Sequence, residues 1–307
     1  MTAKVILNPY AGRWTALKRR DEVEAALRNC GIDYELVITA GPGDGTQLAS
    51  RAISDGFDPI VAAGGDGSVS EVVNGMMQEM SGVLDKPVSL GVIPLGTAND
   101  FADNLKLPKD ILASAKVISL RKSQIIDLGI VSAGRQGSNR FFDNNAALGL
   151  EPYVTLVQEG ISRIRGTLRY LLATLIAVRE NPQWSMQIEW DGGSYEGPVT
   201  LVTVGNLPRT GGIFFMTPNA SAFDGLLTFA YGFMPTRRQI IGILPHTMKP
   251  GKGSYIEHPA IHEIHTKWLR VHSHQPTPAH ADGVIISKNI HDIEYRVVPR
   301  VLPVLLP

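Results

Sequence analysis

The sequence lacks the features of several protein classes. It contains a single cysteine, Cys30, so neither an intrachain disulfide nor a cysteine cluster for zinc can form. Its longest apolar run, residues 171–178, is far shorter than the ~18 residues that a membrane-spanning helix needs. The opening residues show no signal-peptide organisation. These absences predict a cytoplasmic protein that meets a membrane, if at all, from one side.

An excess of charge of one sign is also missing. Lys and Arg together number 29, and so do Asp and Glu, which leaves a formal net charge of zero. Because a protein that holds nucleic acid by overall electrostatic attraction needs a basic excess, no nucleic-acid partner is predicted. Hydrophobic residues make up 44% and charged residues 19%, as in packed globular proteins rather than disordered ones. The 307 residues are enough for one large domain or two ordinary ones.

The order of predicted elements changes near residues 119–123. Before that point, short apolar runs such as 59–63 alternate with segments of helical spacing such as 69–80. This alternation predicts an α/β domain with a mainly parallel sheet and flanking helices. After that point strand patterns dominate, with one helical region at 151–180 and a hairpin signal at Asp191-Gly192-Gly193. We therefore predict an N-terminal α/β domain, residues 1–122, and a β-rich antiparallel sandwich, residues 123–291.

The strongest motif is Gly64-Gly65-Asp66-Gly67-Ser68, which lies between a predicted buried strand and a predicted helix. Consecutive glycines let the backbone approach a ligand, and their N–H groups, with the helix N-terminus, can hold phosphate oxygens. A carboxylate among phosphates is useful if it binds Mg²⁺ or accepts a proton. An Asp-Gly pair alone indicates only a turn, and it occurs six times in this sequence. The whole motif at a strand–helix junction predicts a phosphate site.

A second turn, Pro94-Leu95-Gly96-Thr97-Ala98-Asn99-Asp100, follows the next predicted strand. Thr97 or Asn99 alone would be read as a helix cap, but two such turns on neighbouring strands favour a shared ligand. The P-loop motif G-x-x-x-x-G-K-[ST] is absent, and so is the G-x-G-x-x-G turn of dinucleotide oxidoreductases. An ordinary dinucleotide oxidoreductase is therefore disfavoured.

Together these motifs resemble the diacylglycerol kinase catalytic-domain family, which includes bacterial lipid kinases and the sphingosine and ceramide kinases. The pair Gly-Gly-Asp-Gly and Pro-Leu-Gly-Thr-Ala-Asn-Asp is its most specific part, because the first alone is shared with NAD kinases. The resemblance covers essentially the whole chain, through Asn8–Gly12, Thr39, Asn145–Gly149, Gly205-Asn206, Gly211-Gly212, Pro218–Leu226 and Ala281–Gly283. It implies ATP-dependent phosphorylation of a lipid hydroxyl, as in diacylglycerol kinases and phospholipid biosynthesis. It also implies that residues 292–307 rejoin the first domain.

The resemblance also implies roles for individual residues. The ATP-site residues that it implies are Asn8, Pro9, Tyr10, Ala11, Gly12, Thr39, Gly64, Gly65, Asp66, Gly67, Ser68, Glu71, Thr97 and Asn99. Asp66 would orient the phosphates and their Mg²⁺. Asp224, with the backbone carbonyls of Ser221 and Leu226, would match a structural Mg²⁺ site, although Asp224-Gly225 alone reads as an ordinary turn.

The chain departs from the family near its end. The family usually has Asp-Gly-Glu there, whereas this sequence has Asp282-Gly283-Val284. Valine cannot accept a proton, so Asp282 is the predicted base for the lipid hydroxyl. A positioned general base contributes ~10²–10⁴-fold to a rate, so losing one carboxylate slows the reaction if Asp282 can act. If it cannot, the chain is a very slow or non-catalytic ATP- or lipid-binding protein. A NAD kinase is a further alternative.

A lipid substrate makes peripheral membrane contact attractive. The predicted helical region carries Arg163, Arg165, Arg169 and Arg179 among apolar residues, which suits an anionic membrane surface. Solvent-facing arginines on a packed helix explain the pattern equally well. An exposed strand edge in the second domain is compatible with a homodimer. Histidines cluster between 258 and 280, but their spacing in strand-like sequence does not favour a zinc site.

Overall fold

The computed structural model describes residues 2–80, 87–134, 139–161 and 167–307. The chain divides into two compact units. Unit 1 comprises Met1–Leu128 and Pro299–Pro307, and unit 2 comprises Gly129–Val298. The chain crosses from one unit to the other within two long strands, β5 (Ser123–Ala133) and β14 (Val284–Leu305). The unit boundaries therefore lie inside strands.

Unit 1 is built on a parallel sheet. Its other strands are β1 (Ala3–Leu7), β2 (Tyr34–Ile38), β3 (Ile60–Gly64) and β4 (Leu90–Pro94). Its helices are α1 (Ala11–Trp14), α2 (Arg20–Asn29), α3 (Asp44–Ser54), α4 (Asp66–Met80), α5 (Asp100–Asn104) and α6 (Ile111–Leu120), with a 3₁₀ turn at Ala16–Arg19. The strand order is β2–β1–β3–β4, and the end of β14 pairs beside β4 through Val304 and Leu90.

Helices cover both faces of this sheet. On one face α2 and α6 pack together, and Leu27 and Ile118 join Val61 in one buried cluster. Because successive strand residues point to opposite faces, Ala62 faces the other side, where α3 and α4 pack together against β3. Burial on both faces explains why β3 and β4 are apolar along their whole length.

Unit 2 is built from antiparallel strands. They are β6 (Asn139–Phe142), β7 (Asn145–Gly149), β8 (Trp184–Trp190), β9 (Gly193–Val199), β10 (Leu201–Gly205), β11 (Leu227–Gly232), β12 (Ile261–Thr266) and β13 (Trp268–Ala281), with the second part of β5 and the first part of β14. The order is β12–β11–β10–β7–β13–β14, with β8 and β9 attached to β13 and β5 and β6 to β14. The predicted hairpin is confirmed, because Trp190 of β8 pairs with Gly193 of β9.

Within the described residues, the helices that accompany these strands are α7 (Leu150–Glu159), α8 (Thr167–Glu180) and α9 (Arg237–Ile243), with 3₁₀ turns at Leu244–Met248 and Tyr255–Glu257. One buried cluster contains Phe142, Phe229 and Tyr295, and a second places α7 and α8 over Ala230 of β11. The predicted fold class, an α/β part followed by a β-rich antiparallel sandwich, is confirmed.

Two element predictions need adjustment. The helix predicted at 69–80 begins at Asp66, because the Asp-Gly-Ser residues that resemble a turn form its first turn, where an acidic side chain is favourable. The helical region predicted at 151–180 contains two described helices, α7 and α8. None of the helices in the described ranges combines the length and hydropathy that crossing a bilayer requires.

Candidate functional site

Most of the predicted nucleotide residues gather at one edge of the unit 1 sheet. Asn8 follows β1, Thr39 follows β2, Gly65 follows β3 and Leu95 follows β4. Because these four strands are parallel neighbours, their carboxyl ends lie side by side. The sheet thereby brings together four segments that are far apart in sequence.

Three of these turns touch through glycines. A Cβ atom added to Gly96 would lie 2.5 Å from the Cα atom of Gly65. A Cβ atom on Gly12 would lie 2.6 Å from the carbonyl oxygen of Leu95, and Gly12 has φ +60°. Side chains at these positions would force the turns apart. The backbone itself therefore forms the surface of this edge, as a phosphate site made of N–H groups requires.

Polar contacts connect the same turns. Asn8 donates from Nδ2 to Ser68 Oγ at 2.9 Å, which joins the end of β1 to the first turn of α4. The N–H group of Leu95 donates to the carbonyl oxygen of Gly64 at 2.7 Å. Asn8 Oδ1 also accepts the N–H group of Tyr10 at 3.0 Å, while Pro9 is buried and Ala11 is half-buried.

Asp66 is half-buried and belongs to the first of the two glycine turns. Its Oδ1 atom accepts the N–H group of Phe101, in the first turn of α5, at 3.1 Å. Burial raises the pKa of Asp66 above its ordinary value, although backbone N–H groups, that of Phe101 foremost, oppose the shift. The neighbouring Gly67 is exposed, and a Cβ atom there would meet nothing within 4 Å. The turn thus presents a carboxylate beside an open stretch of backbone.

Thr97 and Asn99 behave differently within the second turn. Thr97 is exposed at the open side. Asn99 is buried with φ +53°, and its side chain folds back onto Gly96, accepting the N–H group at 2.9 Å and donating to the carbonyl at 3.1 Å. Asn99 therefore holds the shape of the turn, whereas Thr97 is the side chain that a ligand can reach.

Glu71 and Thr39 make hydrogen bonds to the main chain near the predicted nucleotide site. The two carboxylate oxygens of Glu71 accept the N–H groups of Gly43 and Gly45 at 2.7 Å and 3.0 Å, which satisfies the start of α3. Thr39 is buried, and its N–H group donates to Leu7 at 3.0 Å. Their predicted contact with ATP stays a prediction, and the bonds of Glu71 give it a structural task.

In unit 2, Asp282 lies in a tight turn between β13 and β14. Its φ is +46°, followed by +74° at Gly283. The carboxylate accepts the N–H groups of Asp143, Asn144 and Asn145 at 3.1, 3.1 and 3.2 Å. Three N–H donors on one carboxylate fix its orientation. The role of Asp282 as base stays a prediction.

Sequence reasoning missed the polar surroundings of Asp282. Asp143 and Asn144 connect β6 to β7, Asn145 is the first residue of β7, and all three are buried. Three consecutive polar residues flanked by apolar strands were the available signal, since buried polar groups need partners. Val284, two residues after Asp282, begins β14 with its side chain 42% exposed.

The second predicted metal position is also in unit 2. Asp224 is exposed, and its Oδ1 accepts the N–H group of Leu226 at 3.0 Å, while Ser221 Oγ accepts that of Phe223 at 3.3 Å. These are the bonds of an ordinary polar turn. Across the described ranges, no group of three or more His, Cys, Asp or Glu side chains could hold a metal ion. Carbonyls, water or a ligand would have to complete any cation site here, and the Mg²⁺ assignment stays a prediction.

The histidine-rich segment forms strands β12 and β13. His272 Nδ1 lies 2.8 Å from Asp292 Oδ1, and His265 Nδ1 lies 2.9 Å from Thr228 Oγ1. These pairs join neighbouring strands.

Comparison with known proteins agrees with the family resemblance of the motifs. Residues 2–131 match the family described as the diacylglycerol kinase catalytic domain, and residues 144–306 match the YegS C-terminal NAD kinase beta sandwich-like domain. A diacylglycerol kinase of Staphylococcus carnosus is 28% identical over 285 residues, which covers 92% of this chain and 88% of the relative. A diacylglycerol kinase of Staphylococcus aureus is 28% identical over 283 residues, covering 92% and 85%.

A crystal structure of a diacylglycerol kinase from Bacillus anthracis has the same fold. It aligns with a TM-score of 0.74 and 21% sequence identity, covering 100% of this chain and 97% of that one. The resemblance drawn from the motifs is confirmed by the two family matches, which together span nearly the whole sequence. The chain therefore belongs to the diacylglycerol kinase catalytic domain family, with a YegS-like C-terminal domain.

Proposed function

We propose that this protein transfers the γ-phosphoryl group of ATP to the hydroxyl group of a membrane lipid, diacylglycerol or a related molecule. The observation that carries the proposal is the contact of three glycine turns at the carboxyl edge of the unit 1 sheet. Membership of the diacylglycerol kinase family supports a kinase, and the named relatives support the class of substrate.

We assign binding of the ATP phosphates to the glycine turn at residues 64–68. The N–H groups of residues 65–68 precede or open α4, a helix whose N-terminus carries partial positive charge. The bond between Asn8 and Ser68 keeps this turn in register with the end of β1. Phosphoryl transfer depends mostly on such positioning and on electrostatic stabilisation of the phosphates.

Asp66 is suited to bind a Mg²⁺ ion that enters the site together with the nucleotide. Mg²⁺ is usually bound by one or two carboxylates, with substrate phosphates and water completing its shell. Asp66 is the carboxylate of the glycine turn, so the donors suit that arrangement better than an all-protein cage. A bound Mg²⁺ would neutralise charge on the phosphates. Burial raises the pKa of Asp66, so a bound cation would stabilise its ionised form.

Asp282 is the residue that we assign to accept the proton of the lipid hydroxyl. The hydroxyl oxygen forms a bond to the γ-phosphorus, the bond to the ADP oxygen breaks, and the proton passes to the Asp282 carboxylate. The three backbone N–H groups on this carboxylate support the assignment by orienting it.

The test is transfer of labelled γ-phosphate from ATP to a panel of lipids in mixed micelles with Mg²⁺. The panel contains diacylglycerol, a sphingoid base, phosphatidylglycerol and an isoprenoid alcohol, with NAD as a soluble acceptor. Asp66→Ala should abolish labelling. Asp55→Ala, in an exposed Asp-Gly turn of the same unit, should leave it unchanged. Labelling of NAD alone would establish the NAD kinase alternative instead, and no labelled acceptor with ATP still bound would overturn the proposal.

Val284 favours a second candidate, a very slow or non-catalytic ATP- or lipid-binding protein. Val284 is exposed and occupies the position where the family usually has a glutamate. Val284→Glu separates the candidates, because a slow enzyme should gain turnover. A protein that binds ATP but labels nothing, with or without this substitution, would support the non-catalytic candidate.

Peripheral contact of unit 2 with an anionic membrane belongs to the same proposal. The predicted Arg163 and Arg165 lie outside the described residues. Helix α9 offers a comparable surface, since Arg237, Arg238 and Ile241 share one side of the helix and Ile241 is 52% exposed. Within the described ranges neither arginine has an ion-pair partner.

Vesicle flotation tests this contact. Arg237→Glu combined with Arg238→Glu should reduce binding to vesicles that contain phosphatidylglycerol. The control, Lys116→Glu combined with Lys122→Glu, makes the same change in charge on exposed residues of unit 1. Equal binding by the two double variants would remove α9 from the proposed contact.

A further inference from the structure

A buried histidine–carboxylate pair lies in unit 2 beside the Asp282 turn, and the proposed function gives it no role. His280 Nε2 is 3.3 Å from Glu151 Oε1, and the two side chains are only 4% and 16% exposed. His280 is near the end of β13, on the face opposite the core residues Ala279 and Ala281. Glu151 is in the first turn of α7.

Hydrogen bonds connect this pair to Asp282. Glu151 Oε1 accepts Asn145 Nδ2 at 2.9 Å, and Asn145 Oδ1 accepts the hydroxyl of Thr210 at 3.0 Å. The main chain of Asn145 then holds Asp282 from two sides. Its N–H group donates to the Asp282 carboxylate at 3.2 Å, and its carbonyl accepts the Asp282 N–H group at 2.8 Å. A continuous path of bonds therefore leads from Glu151 through Asn145 to Asp282.

The pair is poorly arranged for stability alone. Glu151 Oε2 and His280 Nδ1 are buried without a hydrogen-bond partner within the residues that the structure describes. Buried charged or polar groups with unmet bonds are costly, and apolar replacements of similar volume are often neutral or stabilising. The Glu151–His280 pair costs stability, and Glu151 contacts Asn145, whose main chain holds the Asp282 turn. Orientation of that turn explains the pair better than stability does.

We propose that Glu151, held by His280, is a positioning residue that fixes the Asn145 main chain and thereby the orientation of the Asp282 carboxylate. The inference rests on the proposed function where it concerns turnover. The physical link from Glu151 to the Asp282 turn stands on the contacts alone. Geometry explains its importance, because misplacement of a reacting group by about 1 Å can reduce a rate by about 10²-fold.

The first measurement needs no substrate. Amide hydrogen exchange at Asp143, Asn144 and Asn145 is followed by NMR in the full chain, at a temperature where every variant is folded. Glu151→Ala should speed exchange at these amides by about tenfold, roughly the effect of losing one hydrogen bond. His280→Ala should change exchange in the same direction. Glu151→Gln keeps an oxygen for Asn145 and should stay near the wild-type rates.

The matched control breaks another His–carboxylate contact of unit 2. His272→Ala removes the 2.8 Å contact with Asp292, a pair that includes neither Asn145 nor Asp282. It should leave exchange at the three amides unchanged. Equal effects of His272→Ala and Glu151→Ala, no effect of Glu151→Ala, or a Glu151→Gln variant as defective as Glu151→Ala would each overturn the inference.

The second measurement is turnover on whichever lipid the wild-type protein labels. Glu151→Ala should lower kcat by about 10–100-fold with the KM for ATP unchanged, because the nucleotide residues of unit 1 are untouched. Glu151→Gln should restore most of the rate, which a general loss of stability would not allow. Wild-type kcat in Glu151→Ala would overturn the inference alone. If the wild-type protein labels no acceptor, the proposed function fails, and the exchange measurement still decides the link.

Discussion

Substitution of Gly96 by alanine tests whether the glycine turns really meet as described. The added Cβ atom would lie 2.5 Å from Gly65 Cα and 2.6 Å from Asn99 Oδ1. Ordinary contact begins at 3.4 Å, so the two turns would have to separate by roughly 0.9 Å (3.4 minus 2.5). The Gly65 atom belongs to the main chain and cannot rotate aside as a side chain can. Overpacking of this kind costs about 1–3 kcal/mol of unfolding free energy.

Gly67→Ala is the matched comparison. A Cβ atom at Gly67 would meet nothing within 4 Å, so the unfolding free energy should stay within about 0.5 kcal/mol of wild type. The methyl group would nevertheless stand on the open side of the turn that we assign to phosphate. Loss of one charge-assisted hydrogen bond there should weaken ATP binding by about tenfold or more.

Urea unfolding and calorimetric titration with ATP measure the two quantities separately. Gly96→Ala should lower both stability and affinity, and Gly67→Ala should lower affinity alone. Wild-type stability in Gly96→Ala would refute the close contact of the turns. Wild-type affinity in Gly67→Ala would refute the placement of the phosphates.

Three further predictions concern Asp66, Glu71 and Gly242. Because burial raises the pKa of Asp66 in the folded protein, this carboxyl group favours folding below the usual aspartate value of ~3.9 and loses that contribution as pH rises through the folded pKa. Asp66→Asn, which keeps an oxygen for Phe101, should therefore be more stable than wild type at neutral pH. The difference in unfolding free energy should shrink on acidification. Urea titrations from pH 7 to 4 that give a constant difference would contradict this. Glu71→Ala leaves the N–H groups of Gly43 and Gly45 without their carboxylate and should cost about 1–3 kcal/mol in urea unfolding, and an ATP affinity that falls while stability does not would instead mark Glu71 as a ligand contact. Gly242→Ala, inside α9 with free space around the new methyl group, should stabilise the protein by about 0.5–1 kcal/mol, and a lower melting temperature would show that α9 is not a regular helix there.

The sequence was most informative where local pattern and tertiary packing agree. Strands β3 and β4 are continuous apolar runs followed by glycine turns, so their type and position could be predicted closely. The first turn of α4 could not, because Asp66 and Ser68 occur both in turns and at helix starts. Their bonds to Phe101 and Asn8 come from remote segments, and only the sheet brings those segments together.

The surroundings of Asp282 show a different limit. Its position after β13 could be inferred from the motif, but its three N–H donors come from residues about 140 positions earlier. The pairing of Glu151 with His280 has no local signature, since each residue alone is unremarkable on a helix or a strand. The units meet inside strands β5 and β14, and strand periodicity does not reveal where packing changes along a strand. The domain bounds drawn from the sequence, 1–122 with 292–307 and 123–291, stay a prediction.

The composition of unit 1 from two segments that are distant in sequence affects its biosynthesis. Leu90 of β4 pairs with Val304, and Leu305 belongs to the buried core of unit 1, so this unit lacks a strand until Val304 and Leu305 have been synthesised. At about 5–20 residues per second, β4 waits roughly 10–40 s for that neighbour. An unpaired strand edge is a site for association with other chains, so the nascent protein is most vulnerable to aggregation during this interval. Unit 1 expressed as residues 2–128 alone would retain that open edge permanently and would need residues 299–307 supplied as a separate peptide.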